Sequence, residues 1–248
     1  MIVTLYRQIR HKVDKANNSF SVDCNICKSK NFSVFCTLNT AEVAHFNDHK
    51  SCIVYRKGQY IFHENGYPLG VYCINSGKVK IVRTGNDGKD QIVRMAKNGD
   101  ILGYRSLLSD TKYNASAIAL DDTNVCFISK SSFFNVLQSN TRLSLEIIKM
   151  LAFELGKAEQ NITDIAQKPV KERLAEALLF LKQTYGLQSD KATIDIALSR
   201  EDLASLIGTA TETTIRLLSA FKQKGLVAFV GKRIKILNME QLVKIANV

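Results

Sequence analysis

The stretch SREDLASLIGTATETTIRLLSAFKQKG, residues 199–225, predicts two short helices joined by a tight turn. Ser199 is a favourable N-cap for the first helix, and Asp202 lies in its first turn, where a negative charge suits the helix dipole. Gly208 interrupts the helical pattern, and glycine adopts a positive φ at a turn without strain. The second helix is expected over residues 211–224. This is the helix-turn-helix pattern, whose second helix enters the major groove of DNA.

The sequences on both sides of this stretch extend it into a small domain. VKERLAEALLFLKQTYG, residues 170–186, predicts a helix that a glycine ends, and TIDIAL, residues 193–198, predicts a short strand. Downstream, LVAFVGKRIKIL at residues 226–237 alternates on both sides of a glycine. We expect a two-stranded wing there, with Lys232 and Arg233 at its tip.

Upstream of this domain the hydrophobic pattern predicts one long helix. Its apolar residues recur at alternating intervals of three and four, which is a heptad seam: Ile148, Leu151, Leu155, Ala158, Ile162 and Ile165. The seam is narrow and has polar neighbours, which favours a partner helix over a broad core face. The alternative is an ordinary amphipathic helix packed on its own domain. We interpret residues 141–168 as a dimerisation helix, ended by Pro169 because a proline disfavours helical geometry in the residue before it.

Residues 55–129 have a different hydrophobic pattern. Short segments in which apolar and polar residues alternate are separated by glycines. In SGKVKIVRTGNDGKDQIVRM, residues 76–95, Val79 and Ile81 alternate with lysines, and the following Asn-Asp-Gly supplies turn residues. Many short strands at regular spacing indicate a barrel or a sandwich.

The composition constrains the class of partner and the compartment. The 248 residues suggest two domains, and a hydrophobic content of 46% is enough for a sizeable core. An excess of 34 Lys and Arg over 23 Asp and Glu gives a net charge of +11, which suggests a polyanionic partner. No apolar run has membrane-spanning length and no signal peptide is evident, so a cytoplasmic protein without a membrane partner is expected. Six cysteines in a reducing compartment argue against a disulfide framework.

The order of these segments resembles the CRP/FNR superfamily of bacterial transcription regulators, over nearly the whole chain. The segments that carry the resemblance are GTATETTIRLL, GDILGYRSLL and KERLAEALL, in the family order. It implies an α+β chain with an N-terminal cyclic-nucleotide-binding-like β-roll, a long dimerisation helix and a C-terminal winged helix-turn-helix. The expected divisions are a cysteine-containing arm, the roll, the helix and the DNA-binding domain: 1–36, 37–140, 141–168 and 169–248. It also implies a homodimer that binds double-stranded DNA and acts with RNA polymerase.

The first side chains of the second helix are the expected base readers. Arg216 can make a bidentate contact with guanine, and Glu212 can accept from the amino group of cytosine, one helical turn away on the same face. In the family the matching positions read a G·C pair. The alternative is an i,i+4 ion pair that stabilises the helix. The expected DNA-contacting residues are Ser199, Arg200, Thr211, Glu212, Thr213, Ile215, Arg216, Lys232 and Arg233, where Ile215 departs from the serine of one family branch.

The pocket that holds cyclic AMP in this family is altered here. The family uses a glutamate for the ribose and an arginine for the cyclic phosphate, and the matching residues are Tyr104 and Asn114. A neutral asparagine cannot replace two charge-assisted bonds to a phosphate, so cyclic AMP is not the expected effector. The roll is therefore either a structural relic or a site for another ligand. The candidate pocket residues are Gly103, Tyr104, Arg105, Asn114 and Ala115.

Three cysteines lie close together in VDCNICKSKNFSVFC, residues 22–36. FNR-type members hold an iron–sulfur cluster through closely spaced N-terminal cysteines and one distant cysteine of the roll, since thiolates are the ligands of such clusters. Cys24 and Cys27 match the first pair and Cys126 the distant position. The third place is occupied by Ser33, and the nearest thiol is Cys36.

The expected cluster ligands are therefore Cys24, Cys27, Cys36 and Cys126. A structural zinc ion and plain free thiols are alternatives. Two further cysteines, Cys52 and Cys73, lie among apolar strand residues and are expected to be small core side chains.

Two other functional classes compete with a regulator. C-x-x-C at residues 24–27 is the spacing of thiol–disulfide oxidoreductases, but that chemistry needs a βαβ fold, which the pattern lacks. A nucleotide-gated module without a DNA function is disfavoured by the C-terminal third of the chain. No arrangement of paired carboxylates or of Ser, His and Asp indicates another enzyme, so no catalytic residue is expected.

Overall fold

The computed structural model describes residues 22–247, so the first 21 residues of the expected N-terminal arm lie outside it. The described chain has the predicted order of a β-roll, a long helix and a winged helix-turn-helix.

The roll consists of two four-stranded antiparallel sheets. The first sheet has the order β1-β8-β3-β6 and the second β2-β7-β4-β5. Their bounds are Lys50–Tyr55 (β1), Tyr60–Phe62 (β2), Gly70–Ser76 (β3), Lys78–Thr84 (β4), Asp90–Lys97 (β5), Ile101–Leu102 (β6), Ser116–Ala119 (β7) and Thr123–Ser129 (β8). Alternate side chains of both sheets, such as Ile74, Val79 and Val125, fill the interior of the roll.

The outer face of the first sheet is covered by the arm and by helices that the sequence patterns did not reveal. Two 3-10 helices, Lys28–Phe32 and Val34–Thr37, lead into α1, Thr40–His49, which begins with a capping box between Asn39 and Glu42. Helix α2, Tyr104–Leu108, follows β6, and α3, Lys130–Ser139, follows β8. Phe35 and Phe46 pack edge to face, with ring centroids 5.4 Å apart, in the core that joins these segments.

Helix α4 is the predicted long helix and spans Thr141–Gln167. Its first turns are buried on the roll through Leu143 and Ile147. The predicted seam lies mostly on the free side, where Ile148, Leu155 and Ile162 are 59%, 62% and 69% exposed. The helix ends at Lys168, which is extended before Pro169, as expected from the proline.

The C-terminal domain contains four helices and the wing. Its elements are α5, Val170–Tyr185; α6, Arg200–Ile207; α7, Thr211–Gln223; β9, Val227–Val230; β10, Arg233–Ile236; and α8, Met239–Ala246. The strand predicted at residues 193–198 is wrong, because only isolated bridges form at Thr193 and Ile194. The amide of Ile196 turns back to the carbonyl of Ile194, which ends the ladder after one pair.

This domain is docked on the second sheet of the roll through α6. The ammonium of Lys80 on β4 lies 2.6 Å from the carboxylate of Asp202. The hydroxyl of Ser205 accepts from the amide of Ile92 and donates to the carbonyl of Asp90, both at 2.7 Å. Apolar residues of the two domains form one continuous core. The docking therefore fixes the first helix of the helix-turn-helix against the roll.

We expect Lys80→Ala to lower the free energy of unfolding by about 3 kcal/mol, because it leaves the carboxylate of Asp202 buried without its cation. The side chains of Lys80 and Asp202 are only 18% and 16% exposed. Urea unfolding followed by circular dichroism measures the loss. Lys89→Ala is the matched control, since Lys89 pairs with Asp87 in solvent, and it should leave the midpoint unchanged. Equal midpoints for both variants would contradict a structural role for the pair.

Candidate nucleic-acid interface and sensory cavities

The second helix of the helix-turn-helix, α7, has one buried and one exposed face. Thr214, Leu218 and Phe221 are buried and anchor it in the domain. Glu212 and Arg216 are exposed on the opposite side. Within residues 22–247 no ion pair joins them, so the intrahelical alternative does not occupy either side chain. Both are free for contacts outside the chain.

The other predicted DNA residues of α7 lie around this pair. Ile215 is 47% exposed, and Thr211 and Thr213 are half-buried at the start of the helix. Because α7 begins after Ala210 without a side-chain cap, its first backbone N–H groups lack a capping partner of that kind. Such groups and hydroxyls suit a phosphate.

The turn and the first helix adopt the geometry expected from the sequence. Ser199 caps α6 in a capping box with Asp202, and Gly208 has a φ of +64°. The hydroxyl of Ser199 is therefore already engaged within the chain. Arg200 is also engaged, because its guanidinium lies 4.3 Å from the ring centroid of Phe229 on the wing. Burial lowers the pKa of Arg200 from its ordinary value. Ser199 thus caps α6, and Arg200 connects α6 with the wing.

The wing carries its charges as predicted from its sequence. Lys232 is exposed in the turn between β9 and β10. Arg233 opens β10 opposite Val230 and is half-buried. A lysine at the tip of a wing is placed for a phosphate contact, which adds affinity but no base preference.

Glu154 of α4 contacts Tyr104 and Arg94, two residues that line the candidate effector pocket of the roll. Its carboxylate accepts a hydrogen bond of 2.5 Å from the hydroxyl of Tyr104 and lies 2.9 Å from the guanidinium of Arg94. Arg105 is 4.0 Å away. Burial and the bond to Glu154 raise the pKa of Tyr104, which keeps its hydroxyl protonated and donating. The sequence did not single out Arg94 or Glu154, because they lie far apart along the chain.

The pocket presents Asn114 at the position where the resemblance implies an arginine for a cyclic phosphate. Asn114 is exposed at the pocket and offers no charge, while Arg94 is already paired with a carboxylate. Gly103, with a φ of +80°, and Ala115 form walls, as expected. The hydroxyl of Tyr113 also faces the pocket; it is buried near Tyr72 and meets no partner at hydrogen-bond geometry in the described chain.

Four of the six cysteines line one cavity between the arm and the first sheet. Cys24 and Cys27 come from the arm, and Cys73 and Cys126 from β3 and β8. Cys73 stands directly opposite Cys126 in the antiparallel register, so both side chains point to the same face of the sheet. The loop of the arm is held by the amide of Cys24, which donates to the side chain of Asn47 at 2.8 Å.

Cys36, an expected ligand, lies outside this cavity and is exposed. The neighbouring Phe35 takes the inward position of the second 3-10 helix, and Cys36 therefore faces solvent. Ser33, at the family's third ligand position, does line the cavity. Cys73 packs against the apolar core as expected and also lines the cavity.

The cavity combines buried thiols with one nearby cation, Lys50. Burial raises the pKa of Cys24, while the ammonium of Lys50 opposes this change. Burial and the neighbouring Cys52 raise the pKa of Cys126 further; the sulfur atoms of this pair are 3.0 Å apart. The amide of Asn75 donates to the sulfur of Cys27 at 3.3 Å.

The fit of a metal centre can be tested on these positions. Among residues 22–247 no three His, Cys, Asp or Glu side chains converge closely enough to hold one metal ion, which disfavours a zinc site. An iron–sulfur cluster is larger than one ion, and its thiolates stand farther apart. Four thiols around one cavity, with Lys50 to balance negative charge, fit the donor chemistry of such a cluster.

The helices of the described chain include none that combines the length and the hydropathy needed to cross a bilayer.

Both domains of the chain match known protein families. Residues 52–140 match the cyclic nucleotide-binding domain family, and residues 172–245 match the Crp-like helix-turn-helix domain family. The anaerobic regulatory protein of Bacillus subtilis is 32% identical over 174 residues, which cover 69% of this chain and 73% of that protein. The fumarate and nitrate reduction regulatory protein of Vibrio cholerae is 25% identical over 232 residues, 92% of each chain.

A solved structure agrees with these matches. FixK2 from Bradyrhizobium japonicum superimposes with a TM-score of 0.70 at 27% identity, covering 79% of this chain and 96% of that one. Because the relatives are regulators, the chain is not an enzyme, and the oxidoreductase interpretation of Cys24 and Cys27 falls. By sequence, domain content and fold, the chain belongs to the CRP/FNR family of DNA-binding transcription regulators.

Proposed function

We propose that the protein is a homodimeric regulator that reads a palindromic operator through Glu212 and Arg216 and is gated by an oxygen-sensitive iron–sulfur cluster. The observation that carries the proposal is the recognition helix, on which these two side chains are exposed and not paired with each other. RNA polymerase is the partner through which such a regulator would act. The three parts of the proposal rest on separate surfaces of the molecule.

The base-reading role is supported by geometry and charge. Glu212 and Arg216 lie one helical turn apart, near the N-terminal end that enters the major groove. An acceptor and a bidentate donor at this spacing match neighbouring cytosine and guanine edges. The net charge of +11 adds the nonspecific attraction to phosphates.

The dimer is supported by the exposed face of α4. Ile148, Leu155, Ile162 and Ile165 are between 51% and 69% exposed, although they are aliphatic. A row of exposed aliphatic residues at heptad spacing is stabilised by an identical row on a second copy. Leu151 is the exception, because it is half-buried against the core beneath the arm. Two copies related by a two-fold axis would present two recognition helices to a palindrome.

Regulation by an iron–sulfur cluster is supported by the position of the thiol cavity. Phe35, in the second 3-10 helix, belongs to the same apolar core as Leu143 and Ile147, and this 3-10 helix contacts α4. A cluster that holds Cys24, Cys27 and Cys126 would pin the arm onto the sheet. Its loss would loosen the arm and, through the shared core, the start of the dimerisation helix.

A ligand of the roll is the second candidate signal. The buried hydroxyl of Tyr113 has no hydrogen-bond partner among residues 22–247 and faces a cavity that Arg94 and Arg105 also line. A small anion that replaced Glu154 on Arg94 would use these donors. Insensitivity of DNA binding to oxygen would favour this candidate over the cluster.

Arg216→Ala should weaken binding to a specific operator by about 1–3 kcal/mol and relax the choice of guanine, because the bidentate contact is lost. Fluorescence anisotropy with specific and scrambled duplexes measures both effects. Lys232→Ala is the matched control: it should weaken binding to both duplexes equally and reduce the salt slope by about 1. If Arg216→Ala kept the wild-type ratio between the two duplexes, its base-reading role would be wrong.

Leu155→Asp should produce monomers that lose operator binding, because the two-fold axis would bring unpaired like charges into an apolar interface. Analytical ultracentrifugation gives the oligomeric state. Gln160→Asp introduces the same charge on the opposite side of α4 and should leave the dimer intact. An unchanged sedimentation coefficient for Leu155→Asp would place the interface elsewhere.

Anaerobic reconstitution with iron and sulfide should give a broad absorption near about 400 nm. Air should bleach it and lower dimerisation and operator affinity together, whereas protein never exposed to iron should not respond to air. Cys126→Ser should prevent the absorption. The proposed regulation by oxygen would be wrong if the wild-type protein took up no iron, or if loss of the cluster left operator binding unchanged.

A further inference from the structure

We propose that Cys73 takes the place of Cys36 among the ligands, so that the cluster is held by Cys24, Cys27, Cys73 and Cys126. The inference rests on the proposed cluster and names its thiolates. It places two ligands on the arm and two on the sheet. The cluster would then be a bridge between two structural units, rather than a group held mainly by the arm.

The position of Cys36 argues against it as a ligand. Cys36 lies on the second 3-10 helix and is exposed. The residue before it, Phe35, faces inward, is 6% exposed and packs on Phe46. Bringing the Cys36 thiol into the cavity would require this 3-10 helix to turn over and expose Phe35. That would also break the apolar core that includes Leu143 of α4.

The position of Cys73 favours it for the opposite reasons. Cys73 and Cys126 are cross-strand partners on β3 and β8, and both line the cavity that Cys24 and Cys27 close from above. Cross-strand partners lie close enough for their side chains to share one bound group. Cys52 is the partner of Cys126 on the other side, on β1, and does not line the cavity. Both cysteines stand opposite Cys126 in the register, and Cys73 is the one of the two that lines the cavity.

The surroundings suit a group that carries negative charge. Each thiol gives up one proton to solvent as its sulfur binds iron, so four ligands add four negative charges to the cavity. Lys50 lines the same cavity, and the side-chain amide of Asn75 donates to Cys27. Such hydrogen bonds and nearby cations stabilise thiolates and tune the cluster.

Ser33 provides an independent check of this geometry. It is 9% exposed and lines the cavity at the place where the family carries its third cysteine. A thiol at residue 33 would therefore reach the same space without movement of the 3-10 helix. If Cys73 supplies the missing thiolate, a cysteine at residue 33 should compensate for its loss.

The experiment is anaerobic reconstitution of the full chain and of Cys73→Ser, Cys36→Ser and Cys52→Ser, with iron and sulfide measured per chain and circular dichroism to check folding. Cys73→Ser should retain about tenfold less iron than wild type, whereas Cys36→Ser and Cys52→Ser should load normally. The double variant Cys73→Ser with Ser33→Cys should regain iron and the absorption near about 400 nm, which also shows that the serine at residue 73 permits folding.

The outcomes separate this inference from the proposed gate. Loss of iron in Cys36→Ser with retention in Cys73→Ser overturns the assignment of Cys73 and leaves the cluster in place. Wild type that takes up no iron overturns both. A double variant that folds but stays empty while the three single variants behave as expected would also overturn the assignment, because a thiol in the cavity would then not be what Cys73 contributes.

Discussion

The packing of the first turns of α4 onto the roll determines the position of the long helix and of its exposed seam. Leu143 and Ile147 are almost completely buried, and they share their core with Phe35 of the arm and Phe133 of α3. Burial of large aliphatic side chains of this kind stabilises a contact by about 1.5–3 kcal/mol each. The arm therefore cannot shift without changing the support of α4.

A second contact fixes the rotation of the same helix. Apolar packing has no direction, whereas the carboxylate of Glu154 accepts from Tyr104 and pairs with Arg94 at defined positions. A buried ion pair adds little net stability, but it disfavours any orientation that leaves one of its charges alone. With Glu154 held in this way, the heptad seam faces away from the roll. Tyr104 and Arg94, which line the candidate pocket, thus orient α4.

The sequence predicted the features that depend on local chemistry. The cap at Ser199, the turn at Gly208 and the end of α4 before Pro169 follow from residue type and short spacing. The features it missed depend on residues far apart. A period-two pattern at residues 193–198 looks like a strand, but it forms only isolated bridges, because the chain turns at Ile196.

The thiol cavity shows the same limit of local information. Spacing from Cys27 suggested Cys36, since nothing in the sequence says which residue of a 3-10 helix turns inward. The inclusion of Cys73 depends on the register of β3 against β8, which is a property of the whole sheet. Likewise Arg94 and Glu154 are 60 residues apart, and only the fold brings them together. The proposed base readers, Glu212 and Arg216, could be named from the sequence because they lie one turn apart on one helix.

Helix α4 is held by contacts at two separate points along its C-terminal half. The first point is Glu154, which contacts the roll. The second is the C-terminal end of α4, where the side chain of Ile165 lies beside the turn at Gly208 and the backbone carbonyl of Ile165 accepts from Arg173. The span from Glu154 to Gln167 is roughly 20 Å long, at about 1.5 Å per residue. A tilt of α4 by about 5° at Glu154 therefore displaces the C-terminal end of the helix by about 2 Å. Because hydrogen bonds to base edges tolerate only a few tenths of an ångström, even so small a tilt of α4 exceeds what the proposed contacts of α7 with bases would allow.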